Sequence, residues 1–275
     1  MKTLRPLFFL ATLLLIVGLA CGAIGGGGSP SLPTQPLQQE STKAPEPTTA
    51  PTELPPTKVS PTKVLPSEVP PTDEPPAPQA EQFFTEEFDD PLSADWSIFT
   101  VTGSNDADPD KVTVDAQDGK LVWNFDSEQV YYYLFYSAFD YEDVRVDVRA
   151  DNRGRNNNSI SLVCSYDPEV GWYEFNIANN GLYDILYAEV TSSGEIAYNT
   201  IANGGSNAIK QGKEVNEYAI TCKGDELTLF INGDEVNSIT EKNYGLRGGQ
   251  VGVSVSSFNV LPILIEMDWV KISEP

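Results

Sequence analysis

From Phe83 to the end of the chain, apolar and polar side chains alternate in short runs separated by turn residues. A period of two marks half-buried strands, because successive strand side chains point to opposite faces. The pattern predicts strands over Phe83–Phe88, Lys111–Ala116, Lys120–Asp126, Val130–Ser137, Asp143–Asp151, Ser159–Asp167 and Trp172–Ala178. It continues with Leu182–Val190, Glu195–Ile201, Asn216–Lys223, Glu226–Asn232, Glu235–Thr240, Gln250–Ser257 and Ile263–Ile272. Val, Ile, Tyr, Phe and Thr dominate these runs. Gln117-Asp118-Gly119-Lys120 and Asn232-Gly233-Asp234 read as hairpin turns, with glycine supplying the positive φ. No run has the period of an amphipathic helix. The expected fold is all-β, a two-sheet antiparallel sandwich.

The first 81 residues follow different rules. Leu7 to Ala20 is a short apolar segment behind the cations Lys2 and Arg5, which reads as a signal peptide over residues 1–20. Residues 21–81 form a linker: Gly25 to Gly28 is a flexible run, and Pro, Thr, Ser and Glu dominate from Ser29 to about Ala80. With almost no large apolar side chain there, nothing offsets the entropy of folding, so a disordered, extended stalk is expected. At ~3.1 Å per residue it would reach ~150 Å. Residues 82–275 are long enough for one sizeable core.

Gly18-Leu19-Ala20-Cys21 resembles the bacterial lipobox, with Gly18 where a leucine-like residue is usual. The resemblance implies a lipoprotein cut before Cys21 and acylated there, palmitate included. Two or three acyl chains hold stably where one does not. The expected location is therefore the extracytoplasmic face of a bacterial cell membrane, lipid-anchored.

Periodicity also assigns faces. Ile160, Leu162, Cys164 and Tyr166 form one inward set, Tyr218, Ile220 and Cys222 another, and Leu227, Leu229 and Ile231 a third. Two inward thiols in an oxidising compartment are candidates for a bridge. A Cys164–Cys222 disulfide would close a loop of about 58 residues, worth ~4 kcal/mol in the chain-entropy model. The alternative is two buried free thiols.

Phe84-Thr85-Glu86-Glu87-Phe88-Asp89-Asp90-Pro91-Leu92 with Trp96, and Trp172-Tyr173-Glu174-Phe175-Asn176-Ile177, resemble segments of concanavalin A-like jelly-roll domains. Glu226-Leu227-Thr228-Leu229-Phe230-Ile231-Asn232-Gly233 is similar to a strand and turn of laminin G-like domains. Gly248-Gly249-Gln250-Val251-Gly252-Val253 and Met267-Asp268-Trp269-Val270-Lys271-Ile272 complete the series. The resemblance implies a jelly-roll sandwich over nearly all of 82–275. It leaves function open among lectins, carbohydrate-binding modules, glucanases and adhesion domains.

Against catalysis, the chain has no histidine, so neither a Ser–His nor a Cys–His pair is available. The Glu-x-Asp-x-x-Glu spacing of the related glucanases is absent, and hydrolysis needs two placed carboxylates. Asp143, Arg145, Asp147 and Arg149 read as a solvated charge ladder. For binding, Trp172, Glu174 and Asn176 alternate on one face of a strand, opposite to Tyr173, Phe175 and Ile177. An outward Trp beside a carboxylate and an amide suits a sugar, with Tyr183, Tyr187 and the Tyr131–Tyr133 run as extensions; covered sheet aromatics are the alternative. In jelly-roll relatives, oxygens near the first strand and an aspartate on the last hold calcium, and Glu87, Asp89 and Asp268 match by position.

Residues 82–275 hold 33 acidic and 12 basic side chains, a net charge of −21. Such a surface repels nucleic acid and anionic headgroups. Arg149, Arg153 and Arg155 form a local positive cluster suited to an acidic sugar. The sequence alone thus points to a surface lipoprotein, not an enzyme, whose sandwich binds a glycan without catalysis. A structural or adhesion module bound to a surface protein is the alternative, and a glycan-active enzyme comes third.

Overall fold

A computed structural model describes residues 80–275. The signal segment, Cys21 and nearly all of the expected linker lie outside the described residues. Fifteen strands and one 3-10 turn, Pro109–Lys111, make up the described elements. The strands are β1 (Phe84–Glu86), β2 (Trp96–Thr102), β3 (Val112–Ala116), β4 (Leu121–Phe125), β5 (Val130–Tyr141), β6 (Val144–Asn152), β7 (Asn158–Asp167) and β8 (Gly171–Ala178). After them come β9 (Leu182–Val190), β10 (Ile196–Gly205), β11 (Val215–Lys223), β12 (Glu226–Ile231), β13 (Asp234–Thr240), β14 (Gly249–Ser257) and β15 (Ile263–Ser273). No helix among the described residues is long and apolar enough to cross a membrane.

One sheet runs β13-β12-β11-β6-β15-β4-β3, with β1 also on β15; the other runs β10-β9-β8-β7-β14-β5-β2. All pairings are antiparallel, and together they form the jelly-roll sandwich expected from the sequence. Inward side chains of both sheets, among them Leu121, Trp123, Phe125, Leu162, Phe175 and Ile220, meet in one core. Cys164 on β7 and Cys222 on β11 are joined by a disulfide with a Cα–Cα distance of 6.6 Å, so the bridge ties the two sheets together. The Asp118-Gly119 and Asn232-Gly233 turns have φ of 52° and 70°, and 51° and 88°, as a tight hairpin requires.

Strand β2 was not among the expected strands. Its sequence, Trp96-Ser97-Ile98-Phe99-Thr100-Val101, carries apolar side chains in both phases, which hides the period. The reason lies in the second sheet, which carries apolar side chains on its outer face as well as in the inter-sheet core. A second cluster, Tyr133, Phe135, Val163, Trp172 and Ala188, covers its outer side, with Phe99, Tyr131, Tyr166 and Ile196 packed against it. These contacts require a strong curl. Phe99 on β2 lies 5.8 Å from Trp172 on β8, although four strand spacings, about 19 Å in a flat sheet, separate them. Tyr131 on β5 and Tyr198 on β10 approach to 6.1 Å across five spacings.

Candidate active site on the curled face

Strand β8 begins at Gly171, whose φ of +138° no other residue adopts easily. A Cβ there would lie 2.0 Å from the Ala188 carbonyl oxygen, so glycine lets β9 approach. From this start the strand alternates as the sequence implies. Tyr173, Phe175 and Ile177 enter the inter-sheet core, while Trp172, Glu174 and Asn176 point to the curled face.

Two expectations about this face need correction. Trp172 is 0% exposed and Glu174 1%, so neither forms an open stacking platform. The curl folds Phe99, Tyr133 and Tyr166 over the indole. Tyr183 and Tyr187 are not on this face at all. They alternate with Asp184 and Leu186 on β9 and fall in phase with Ile185, inside the inter-sheet core. A strand can send only one of these sets to each side.

The curl assembles a hydrogen-bonded carboxylate. Glu174 accepts from the Ser161 hydroxyl (2.7 Å), the Tyr133 hydroxyl (2.8 Å) and the Trp172 indole N–H (3.1 Å). Tyr133 also lies 2.8 Å from the Tyr198 hydroxyl. A phenol has one proton, and Tyr133 gives its own to Glu174, so Tyr198 must be the donor in that pair. The chain Tyr198→Tyr133→Glu174 therefore points every O–H inward, from a side chain 36% exposed to one that is buried. Burial, then the Glu174 charge, push the Tyr133 and Tyr198 hydroxyls well above the usual phenol range.

Around this chain lies a polar floor. Asn176 donates to Ser159 (2.9 Å) and to Ser161 (3.0 Å), and Asp184 stands opposite Asn176 on β9. Burial raises the Asp184 carboxyl above its ordinary value. Tyr133 belongs to the tyrosine run noted in the sequence. Tyr198 escaped notice because its partner Tyr133 lies on a strand that only the curl brings near. Asp184 and the serines lie on strands directly paired with β8, a pairing that alternation along one strand does not reveal. A surface cavity of about 560 Å³ adjoins the face, lined by Phe99 to Asn105 on one side and Gly194 to Ile196 on the other.

The other sequence candidates lie elsewhere. Asp268 on β15 accepts from Lys120 (2.5 Å) and Arg149 (2.7 Å), so its two oxygens are engaged by cations. Burial pushes its carboxyl upward, but the bonds from Lys120 and Arg149 outweigh that and hold it below the usual range. Among the described residues no group of three or more Asp, Glu, Cys or His is placed to hold a metal. Arg149 also bonds Glu217 (2.8 Å) and Arg153 pairs with Asp151 (3.1 Å), so much of the positive cluster is matched by its neighbours. Arg145 chelates Asp147, as the ladder reading expects.

Comparison with known proteins adds a family. A family model described as a 3-keto-alpha-glucoside-1,2-lyase-like domain matches residues 84–260, more than half of the chain. No curated protein matches the sequence. Among solved structures, a glycoside hydrolase family 16 endo-glucanase from Bacteroides ovatus is similar with a TM-score of 0.51 and 11% identity, covering 69% of this chain and 99% of that one. A structure described as a native glycosidic hydrolase has a TM-score of 0.50 and 16% identity, covering 72% of this chain and 100% of that one. At this identity the likeness concerns the fold, which is the concanavalin A-like sandwich the sequence implied. The family match overturns both the non-catalytic glycan-binding reading and the expectation that the chain is not an enzyme. Both expectations rested on a missing histidine and missing paired carboxylates. Those are requirements of nucleophilic catalysis and glycoside hydrolysis, and a lyase-like family is not bound by them.

Proposed function

Because the chain belongs to the 3-keto-alpha-glucoside-1,2-lyase-like family, we propose that it is a glycan-active enzyme that cleaves a C3-oxidised glucoside by elimination across C1 and C2. A ketone at C3 acidifies the hydrogen on C2. A base removes that proton, the freed electron pair forms the C1=C2 double bond, and the C1–O bond breaks. The departing oxygen takes up a proton from solvent. One C–H and one C–O bond are lost, one C=C and one O–H bond are formed, and nothing is oxidised or reduced. The step needs one base and no nucleophile, which this chain can supply.

The observation that carries the reading is the inward-pointing chain from Tyr198 through Tyr133 to Glu174. A proton reaching the Tyr198 oxygen is passed on as Tyr198 gives its own to Tyr133, and Tyr133 gives its own to Glu174. Tyrosines held well above their usual range keep a proton at rest, so they relay and the carboxylate receives. The cavity between the β2 and β10 edges, lined by Phe99 to Asn105 and Gly194 to Ile196, opens this side of the sheet to solvent.

The test is to incubate the purified protein with an aryl 3-keto-α-glucoside and with the same glucoside unoxidised. The expected result is aryl alcohol release from the ketone only, with an ultraviolet-absorbing product in which C1=C2 is conjugated to the C3 carbonyl. Release from the unoxidised glucoside, or from neither, would sink the elimination reading.

The same reading places the enzyme outside the cytoplasm on a lipid anchor at Cys21, with a glycan as its partner. The support is the apolar segment Leu7–Ala20 and the lipobox-like Gly18–Cys21. Labelled palmitate fed to a bacterial host is expected to enter the wild-type chain and not Cys21→Ser. Equal labelling of both would dismiss the anchor.

A further inference from the structure

Strand β14 sends Val251, Val253 and Val255 into the inter-sheet core, so Ser254 and Ser256 face the curled side. Both serines are fully buried, and neither hydroxyl finds a partner among the described residues. A buried hydroxyl without a partner forfeits its hydrogen bonds to water, and two side by side call for an explanation. They do not stand alone. In register, Ser254 lies beside Ser161 and Ser256 beside Ser159, which makes a floor of four serines in the middle of the sheet. Asn176 donates both amide hydrogens to Ser159 and Ser161, which leaves its own oxygen free. The half-buried Asp184 opposite Asn176 makes no side-chain hydrogen bond to a described residue.

Unmatched hydroxyls, a free amide oxygen and an unmatched carboxylate, set under aromatic rings, have the composition that recognises a pyranose. The polar groups take oxygen substituents, and the rings cover an apolar face. Tyr131, next to Ser256 in register, meets Tyr198 ring to ring at 6.1 Å across the face. Tyr198 rides on β10, which is an edge strand bonded only to β9 and carries a register shift between Thr200 and Ala202.

We propose that the serine floor of β7 and β14, with Asn176 and Asp184, is the subsite that holds the oxygen substituents of the substrate's glucosyl ring, entered when the Tyr131–Tyr198 pair parts. This rests on the glycan-active reading but not on the elimination chemistry. Ser254 and Ser256 position the ring, while Glu174, Tyr133 and Tyr198 move the proton.

The test uses methyl α-glucopyranoside, which has no ketone and is not turned over. Its binding to the full chain is followed by Trp fluorescence and by the rise in melting temperature that a native-state ligand must produce. In the double variant Ser254→Ala, Ser256→Ala, affinity is expected to fall about tenfold, the loss of two neutral hydrogen bonds. Its unliganded melting temperature should equal or exceed that of wild type, because the removed hydroxyls have no protein partner. Ser161→Ala removes a partnered hydroxyl and should lower the melting temperature. The proposal is overturned if the double variant binds as wild type does, which would leave buried water as the serines' partner. It is equally overturned if wild type does not bind the probe, or if the double variant melts lower in step with its lost affinity. Probe binding lost in the serine variant, with no turnover of any 3-keto glucoside by wild type, would keep the subsite and discard elimination. Turnover abolished by Glu174→Gln, with probe binding indifferent to the serines, would do the reverse.

Discussion

Glu174→Gln is expected to reduce turnover of a 3-keto-α-glucoside by about 10²–10⁴-fold, the range for losing a general base. The fold should survive the change. A glutamine can turn its oxygen toward the Tyr133 and Trp172 donors and its amide toward Ser161, which accepts as well as donates. The expected stability loss is therefore only about 1 kcal/mol. Tyr198→Phe should reduce turnover at least about 10²-fold with a smaller change in melting, because it removes the outer carrier of the proton at a half-exposed position. Both losses should appear in kcat, since neither group is assigned to binding the ring. In wild type, deuterium at C2 should slow the reaction if proton removal limits the rate. Full activity in Tyr198→Phe would end the relay. Full activity in Glu174→Gln would move the base elsewhere, and Asp184 is then the next carboxylate on the face.

Glu241→Ala should be the most damaging single change to stability, about 4 kcal/mol, or a drop of roughly 8–16 °C in melting temperature for a domain of this size. Glu241 is buried just after β13, and its side chain organises the turn that follows. Its oxygens accept from the backbone N–H groups of Asn243, Tyr244 and Gly245 and from the Tyr173 hydroxyl. Tyr173 in turn accepts from the Leu246 N–H (3.2 Å), and Tyr244 stacks on Tyr187 at 4.1 Å. The turn is thus fastened to the inner sides of β8 and β9, whose outer sides carry Glu174 and Asp184. Alanine would leave four donors without an acceptor. Burial pushes the Glu241 carboxyl upward, but these donors outweigh it and hold it below the ordinary value. A carboxyl depressed on folding stabilises fully above its unfolded pKa of about 4.3 and loses that contribution as pH falls toward its folded value. Melting temperature should therefore drop below about pH 4.3 in wild type, and Glu241→Gln should remove that part of the acid sensitivity. A Glu241→Ala protein melting within a few degrees of wild type would refute the anchoring role.

The strands, hairpin turns and inward cysteines were legible because each depends on neighbours two to four residues away. Period-two alternation assigns Ile160, Leu162 and Cys164 to one face, and Asn232-Gly233 closes a tight turn, whatever the rest of the chain does. The same alternation correctly separated Trp172, Glu174 and Asn176 from Tyr173, Phe175 and Ile177. It failed at Trp96–Thr102, where apolar residues occupy both phases, and at Tyr166, which the register shift after Cys164 turns to the curled face. Tyr183 and Tyr187, read as extensions of the outer platform, lie in the core instead. Function was misread for a chemical reason, since tests for nucleophiles and paired carboxylates are not tests for a lyase, and the chain belongs to a lyase-like family.

What the sequence by itself determined is the local plan: an all-β chain, all but one of its strands, its turns and the side that most residues take. Only the tertiary structure decided that the second sheet curls until β5 meets β10 and β2 meets β8. That curl buries Trp172 and brings Tyr133 and Tyr198, 65 positions apart in the chain, within hydrogen-bond distance. It also brings the Tyr133 donor from β5 to Glu174, beside the Trp172 donor of Glu174's own strand and the Ser161 donor of the neighbouring one. Alternation reports which face of a sheet a residue takes, whereas the curvature of that sheet is a collective outcome of packing many strands, and no short stretch of sequence encodes it.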